Sequence, residues 1–228
     1  MSQAIDGPRL PAASGAAKAL VVFLHGFGAD GNDLIAIGQE WRRLLPDAAF
    51  ASPHAPERCM AAPTGRQWFP LTFRDPDERR RGVIAAAPGL DAFLDAELAR
   101  HKLPPDRLAL VGFSQGAMMA LHVGLRRKTP PAAILGYSGM LVSPEALAAE
   151  ATGKPPILLV HGERDDVIPV DALFAAMDGL AAAEIPVEWH LAPGLGHGID
   201  GEGLRQGAAF LASSLKPRRT GLRASSQA

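Results

Sequence analysis

Leu108-Ala109-Leu110-Val111-Gly112-Phe113-Ser114-Gln115-Gly116-Ala117 is the stretch on which the fold turns. An unbroken run of apolar and small residues reads as a strand buried on both faces. The segment that follows, 116–125, has the composition of a good helix. Between them a serine stands with glycine two places before it and two places after. Small residues in that pattern let a strand and a helix meet in a sharp turn, with the serine hydroxyl lifted above the sheet. The bland alternative is a tight turn whose serine only caps the helix.

Working outward, the same rhythm repeats. Short apolar runs occur at 19–24, 48–51, 108–113, 132–137, 157–160 and 187–191. Helical spacing appears between them: Leu34, Ile37, Trp41 and Leu45 share one face, as do Leu90, Phe93, Leu94 and Leu98. Leu173, Met177 and Leu180 repeat the pattern, and so do Leu204, Ala208, Leu211 and Leu215. Alternating strand and helix predicts an α/β fold, a mostly parallel central sheet with helices on both faces. The 24 glycines and 20 prolines punctuate patterned segments instead of forming low-complexity tracts. With no internal repeat and no shift in composition, 1–228 reads as a single domain, with its core at about 19–215 and a flexible tail at about 216–228. Two stretches break the rhythm. Residues 54–82 form a long connection containing Trp68, Phe69, Phe73 and a charged run at 75–81. The tail carries Lys216, Arg218, Arg219 and Arg223, and reads as a solvated end more readily than as a basic lipid anchor.

Composition excludes several function classes. The 23 Lys+Arg against 24 Asp+Glu leave a formal charge of -1, which speaks against a nucleic-acid partner bound through a net basic face. A single cysteine, Cys59, excludes an internal disulfide framework and a multi-cysteine metal site, and fits a reducing compartment. No apolar run is long enough to span a membrane, so stable membrane insertion is not expected. The N-terminus lacks the clean apolar block of a secretory signal. The expected location is cytoplasmic.

A serine hydroxyl needs a base to take its proton and a carboxylate to orient that base. His161-Gly162-Glu163-Arg164-Asp165-Asp166-Val167-Ile168-Pro169 follows the run at 157–160, and Pro193-Gly194-Leu195-Gly196-His197-Gly198 follows the next. Both loops fall at strand ends, in the order Ser, acid, His. His190 is a competing base but sits inside a strand pattern. His54, His101 and His122 read as structural or surface residues, and the histidine spacing suggests no metal site. Asp165 and Asp166 point in different directions in an extended loop, so only one can serve the imidazole, and spacing does not choose between them. Leu24-His25-Gly26-Phe27-Gly28-Ala29-Asp30-Gly31 can bring backbone N–H groups to a substrate oxygen. Phe27 and Gln115 are the expected oxyanion donors, each worth roughly 3–4 kcal/mol in the transition state. A phosphate cradle is disfavoured, because the P-loop Lys-Ser/Thr ending and the dinucleotide spacing are both absent.

Together, 24–31, 112–116, 161–169 and Gly196-His197 resemble the phospholipase/carboxylesterase family of α/β-hydrolases, which includes acyl-protein thioesterases. The resemblance runs from about 19 to 215. It implies Ser114 as nucleophile, His197 as base and, through the H-G-x-x-D-x-x-V-P pattern, Asp165 as acid; Ile168 replaces the pattern's valine. Gly65-Arg66-Gln67-Trp68-Phe69 is similar to the family's aromatic substrate-loop segment. It continues Pro70-Leu71-Thr72, where the thioesterase branch usually has an aspartate.

The expected activity is that of a serine carboxylesterase, hydrolysing short- to medium-chain acyl esters through an acyl-enzyme without a cofactor or metal. Acyl-protein thioesterase and lysophospholipase are the alternatives within the fold; a peptidase is disfavoured, and a non-catalytic hydrolase-fold binder is the alternative from another class. About 17 residues separate the run ending near Ser138 from the one starting near Ile157, too few for a large lid. An open mouth lined by Trp68, Leu71, Phe73, Met140, Leu141, Ile168 and Leu195 is therefore expected to take the acyl group of a small-molecule ester or thioester. Exposed apolar residues around such a mouth are compatible with a homodimer. Cys59 falls in the 54–82 connection, away from the elbow, and is not the nucleophile.

Overall fold

Nine strands and six helices follow one another along the computed structural model of the chain, which describes residues 5–72, 74, 75 and 77–216. Phe73 and the tail arginines Arg218, Arg219 and Arg223 lie outside the described residues. The order is β1 (Arg9–Leu10), β2 (Ala19–Leu24), α1 (Gly31–Trp41), β3 (Ala48–Ala51), β4 (Glu57–Arg58), β5 (Arg66–Gln67) and α2 (Glu78–His101). Then come β6 (Leu108–Phe113), α3 (Gln115–Arg126), β7 (Ala133–Tyr137), α4 (Pro144–Glu150), β8 (Ile157–Gly162), α5 (Asp171–Ala182), β9 (Val187–Ala192) and α6 (Gly201–Ser214).

Seven strands form one sheet in the order β1-β3-β2-β6-β7-β8-β9; only β1 is antiparallel to its neighbour. Apolar residues fill both faces of the central strands because both faces are covered. Leu20, Val22, Leu24, Leu108 and Leu110 pack with Leu90 and Leu94 of α2, Met119 of α3 and Leu173 of α5. Val21, Phe23, Ala109, Val111 and Leu135 face the other way, onto Leu34 and Trp41 of α1 and Leu211 of α6. Each fully buried Leu or Phe in these layers contributes about 1.5–3 kcal/mol relative to exposure. The chain leaves β2 toward β3 on one side and returns to β6 on the other. The carboxyl ends of β2 and β6 therefore flank the switch point, where sheets of this kind open a crevice.

Three expectations change. The sheet begins before residue 19, because Arg9 and Leu10 pair with Ala51 and Phe50; two residues carry no periodicity to detect. The 54–82 connection is not structureless. It holds the β4–β5 hairpin, and α2 starts at Glu78, inside the charged run, whose polar side chains hid the helical period. Finally, β9 is not buried on both faces: Glu188 and Trp189 are exposed, as suits the outermost strand. No helix among the described residues is long and apolar enough to cross a membrane.

Candidate active site

Ser114 sits where β6 hands over to α3, with φ 54° and ψ −117°. That left-handed backbone is strained for a residue with a side chain, by about 1–3 kcal/mol, and is held by its surroundings. The Ser114 N–H donates to the Tyr137 carbonyl at 2.9 Å, while the Ser114 carbonyl accepts from the Ala117 and Met118 N–H groups at 3.0 and 3.2 Å. The flanking glycines are required by contact, since a Cβ on Gly116 would overlap the Leu24 carbonyl and one on Gly112 would overlap the Gly116–Ala117 backbone. After the neighbouring strand, a Cβ on Gly26 would lie 3.4 Å from the Ser114 Cβ, so the loop after β2 rests directly against the serine.

The acid and base loops follow β8 and β9, two adjacent strands. His197 Nδ1–H donates to Asp165 Oδ2 at 2.8 Å. The other carboxylate oxygen, Oδ1, accepts from the N–H groups of Val167 and Ile168 at 3.0 and 2.8 Å. Burial works to raise the Asp165 pKa, but the Ile168 N–H, the His197 ring and the Val167 N–H outweigh it and hold the carboxyl below its usual value. The group is a buried, oriented anion. Asp166, one place on, is exposed, so the choice that spacing left open falls to Asp165. The His197 ring lies 4.9 Å from the Phe113 ring, centroid to centroid, which sets the imidazole beside the residue preceding the serine. With Nδ1 donating to the acid, Nε2 carries the lone pair that can take a proton.

Several residues that sequence reasoning passed over hold these loops. Glu163 Oε2 accepts from the Gly194 N–H at 2.8 Å and the Arg164 N–H donates to the Leu195 carbonyl at 2.8 Å, lacing the acid loop to the histidine loop. Ser138 Oγ donates to the Gly198 carbonyl at 3.2 Å, and Asp200 caps α6 by accepting from the Gly203 N–H at 2.7 Å. His161, buried at the end of β8, donates from Nε2 to the Ile168 carbonyl at 2.8 Å and so braces the turn that carries Asp165. For His161, Glu163 and Arg164 the only signal in sequence was their placement within a motif, and Ser138 and Asp200 lie outside the motifs and gave none.

In the loop after β2, the Gly28 N–H donates to the Arg66 carbonyl and the Ala29 N–H to the Gly26 carbonyl. Phe27 stands between this pair and Gly26, and Gln115 opens α3, where a backbone N–H has no acceptor within the helix. His25 pins the loop from below. Its Nδ1–H donates to the Gly26 carbonyl at 2.8 Å and its Nε2 accepts from the Ala55 N–H at 3.0 Å, a neutral ring with both nitrogens used. Burial drives its pKa down to about 4 against the partial opposition of the Gly26 carbonyl. Burial, aided by the Arg126 charge, also lowers that of His122 to about 4. The unfolded chain takes up these protons near pH 6.5 while the native protein refuses them until about pH 4. Stability therefore falls as pH drops through that window, by roughly 3 kcal/mol for each ring. Urea unfolding at pH 7 and at the bottom of the window should show this loss, and in His25→Gln the loss should shrink by about half. An unchanged pH difference in the variant would place the effect elsewhere.

Gln115 also works through its side chain. Its Oε1 accepts from the Trp68 N–H at 2.9 Å and its Nε2 donates to the Phe69 carbonyl at 2.8 Å, clamping the aromatic segment to the elbow. The Trp68 indole N–H donates to the His25 carbonyl at 3.0 Å. The apolar residues expected to line an open mouth divide accordingly. Trp68, Leu141 and Ile168 are packed in the core and support the site from behind instead of presenting open surface. Leu71, Met140 and Leu195 are partly exposed. The long connection places a groove of about 1320 Å³ between Ile5–Arg9, the residues Trp68, Phe69, Pro70, Thr72 and Asp75, and the length of α2; neither Ser114, Asp165 nor His197 lines it.

The chain is similar to several known proteins. The sequence profile described as Phospholipase/Carboxylesterase matches residues 6–215. Acyl-protein thioesterase 1 of Gibberella zeae is 28% identical over 235 residues, spanning 96% of this chain and 100% of the relative. Esterase YpfH of Escherichia coli K12 is 30% identical over 189 residues, spanning 83% of this chain and 80% of the relative. Among solved structures, esterase PE8 superposes with a TM-score of 0.90 at 48% identity, covering 93% of this chain and 100% of PE8.

Proposed function

Because the chain belongs to the phospholipase/carboxylesterase family, we propose that it is a serine hydrolase that cleaves short- to medium-chain carboxylic esters through an acyl-enzyme. The observation that carries this reading is the Asp165–His197 hydrogen bond of 2.8 Å, with the imidazole packed on Phe113 beside the strained Ser114. His197 Nε2 takes the proton of Ser114 Oγ as the oxygen attacks the ester carbonyl. Asp165 holds the ring in the Nδ1–H tautomer and stabilises the imidazolium. The tetrahedral oxyanion accepts from the Phe27 and Gln115 N–H groups. Collapse breaks the bond to the leaving oxygen, which departs with the proton from His197. Water, deprotonated by the same nitrogen, then attacks the acyl-serine and frees the acid.

The short span between β7 and β8 supports small substrates. Seven-residue α4 is the helix placed there, so no large lid covers the strand ends among the described residues. Thioester cleavage is a second reading, favoured by the likeness to a protein named acyl-protein thioesterase over nearly the whole chain. A fluorophosphonate probe tests the serine mechanism. A covalent adduct should map by mass spectrometry to the peptide containing Ser114, and a folded protein that takes no label would favour a non-catalytic role. Oxygen esters and thioesters matched in acyl chain then separate the two readings; a rate that peaks on long-chain emulsified fat would overturn the substrate size.

A further inference from the structure

We infer that β9 is a self-complementary edge, and that two copies of this chain pair antiparallel along it to form a dimer with one continuous sheet. The inner edge of β9 bonds to β8, and among the described residues no strand lies on its outer edge. Natural sheets blunt such edges with short strands, lysines, prolines or bulges. The opposite end of this sheet follows that rule, since β1 has two residues. β9 has six, Val187-Glu188-Trp189-His190-Leu191-Ala192, with no proline, glycine or lysine.

The order of side chains around Trp189 identifies the occupant. A twofold axis normal to the sheet must pass through a residue, because directly opposed residues of an antiparallel pair point to the same face. Placed at Trp189, it sets Trp189 against Trp189, and Glu188 against His190 and Val187 against Leu191 twice each. Placed at Glu188, it opposes two carboxylates and draws Pro186 into the ladder. Placed at His190, it opposes two imidazoles and leaves Glu188 facing Ala192. Only the first register joins opposite polarities and apolar with apolar.

The faces agree with that register. Glu188 and His190 lie opposite Leu158 and Val160 on the α6 side, whereas Val187, Trp189 and Leu191 lie opposite Ile157, Leu159 and His161 on the α5 side. On the α6 side, Gln206 Nε2 donates to His190 Nδ1 at 3.2 Å, while Nε2 is buried and has no hydrogen-bond partner within the chain, so the half-buried ring meets the outer edge through its carbon atoms. Glu188 of the second copy would lie alongside that ring, opposite in polarity, without a direct bond to either ring nitrogen. On the other side, Trp189 is 50% exposed, while the remaining two tryptophans, Trp41 and Trp68, are 3% and 1% exposed. An aromatic pair at the axis removes that exposure from water.

Sedimentation velocity on the full chain tests the pairing through a charge exchange. The unaltered protein should sediment as a dimer. Glu188→Lys and His190→Glu should each weaken the dimer at least tenfold, because each sets like polarities opposite one another twice. An equimolar mixture of the two variants should dimerise again, since every altered position then meets its complement. In parallel, acrylamide quenching of tryptophan emission should fall as the unaltered protein associates on concentration, because Trp189 is the exposed reporter. A protein that stays monomeric up to high micromolar concentration overturns the proposal. So does a dimer indifferent to both single variants, or a mixture of variants that remains monomeric.

Discussion

Ser114→Ala should lower ester turnover by about four to six orders of magnitude while leaving the fold intact. The elbow geometry is set by backbone contacts, with the Ser114 N–H on Tyr137 and the glycines against Leu24 and Ala117, and none of these involves the hydroxyl. Alanine keeps the same Cβ at the same φ. Circular dichroism and the thermal midpoint should therefore match the parent, and the loss should fall on kcat more than on KM. On the proposed mechanism, the residual rate would come from the Phe27 and Gln115 N–H groups acting on bound substrate. A variant that retained near-parent turnover of p-nitrophenyl butyrate would remove Ser114 from the chemistry altogether.

A second large effect separates two adjacent carboxylates. Asp165→Asn should cost about 10⁴-fold in kcat, because the amide can donate its N–H to His197 Nδ1 and stabilise the wrong tautomer. Asp166→Asn should stay within about threefold of the parent, as expected of an exposed surface residue. The comparison is internal, since both substitutions remove one charge from the same loop. Equal losses would point to the net charge of the loop instead of the Asp165–His197 hydrogen bond. The lowered Asp165 pKa gives the sign of the pH dependence. The carboxylate is ionised above the ordinary aspartate range, and its stabilising contribution is lost as pH falls below that range.

These positions also show what could be read from sequence. The central strands were legible because burial on both faces writes an uninterrupted apolar run, and 19–24, 48–51 and 108–113 coincide with β2, β3 and β6. The elbow was legible because close backbone approach leaves a glycine on each side. Asp165 against Asp166 was legible only through the family pattern and not from spacing, since the choice depends on which carboxylate the N–H groups of Val167 and Ile168 turn to meet, and that is a property of the folded loop. The start of α2 was hidden because residues 78–81 are polar and its first turn presents little apolar face. The burial of Trp68, Leu141 and Ile168 was invisible for a related reason: an apolar side chain in a loop reads the same whether it greets a ligand or closes the core.

Gln115 has one further consequence. Its backbone belongs to the turn that carries Ser114, and its side chain grips Trp68 and Phe69 from both sides. The aromatic segment proposed to influence substrate choice is thus bolted to the turn proposed to perform the chemistry. Loop transplants from relatives would arrive with their own spacing between aromatic pair and amide, and any mismatch would be transmitted to the serine. Specificity in this scaffold should change more readily through Leu71, Met140 and Leu195, whose partly exposed side chains lie beyond that bolt, than by replacing the loop as a block.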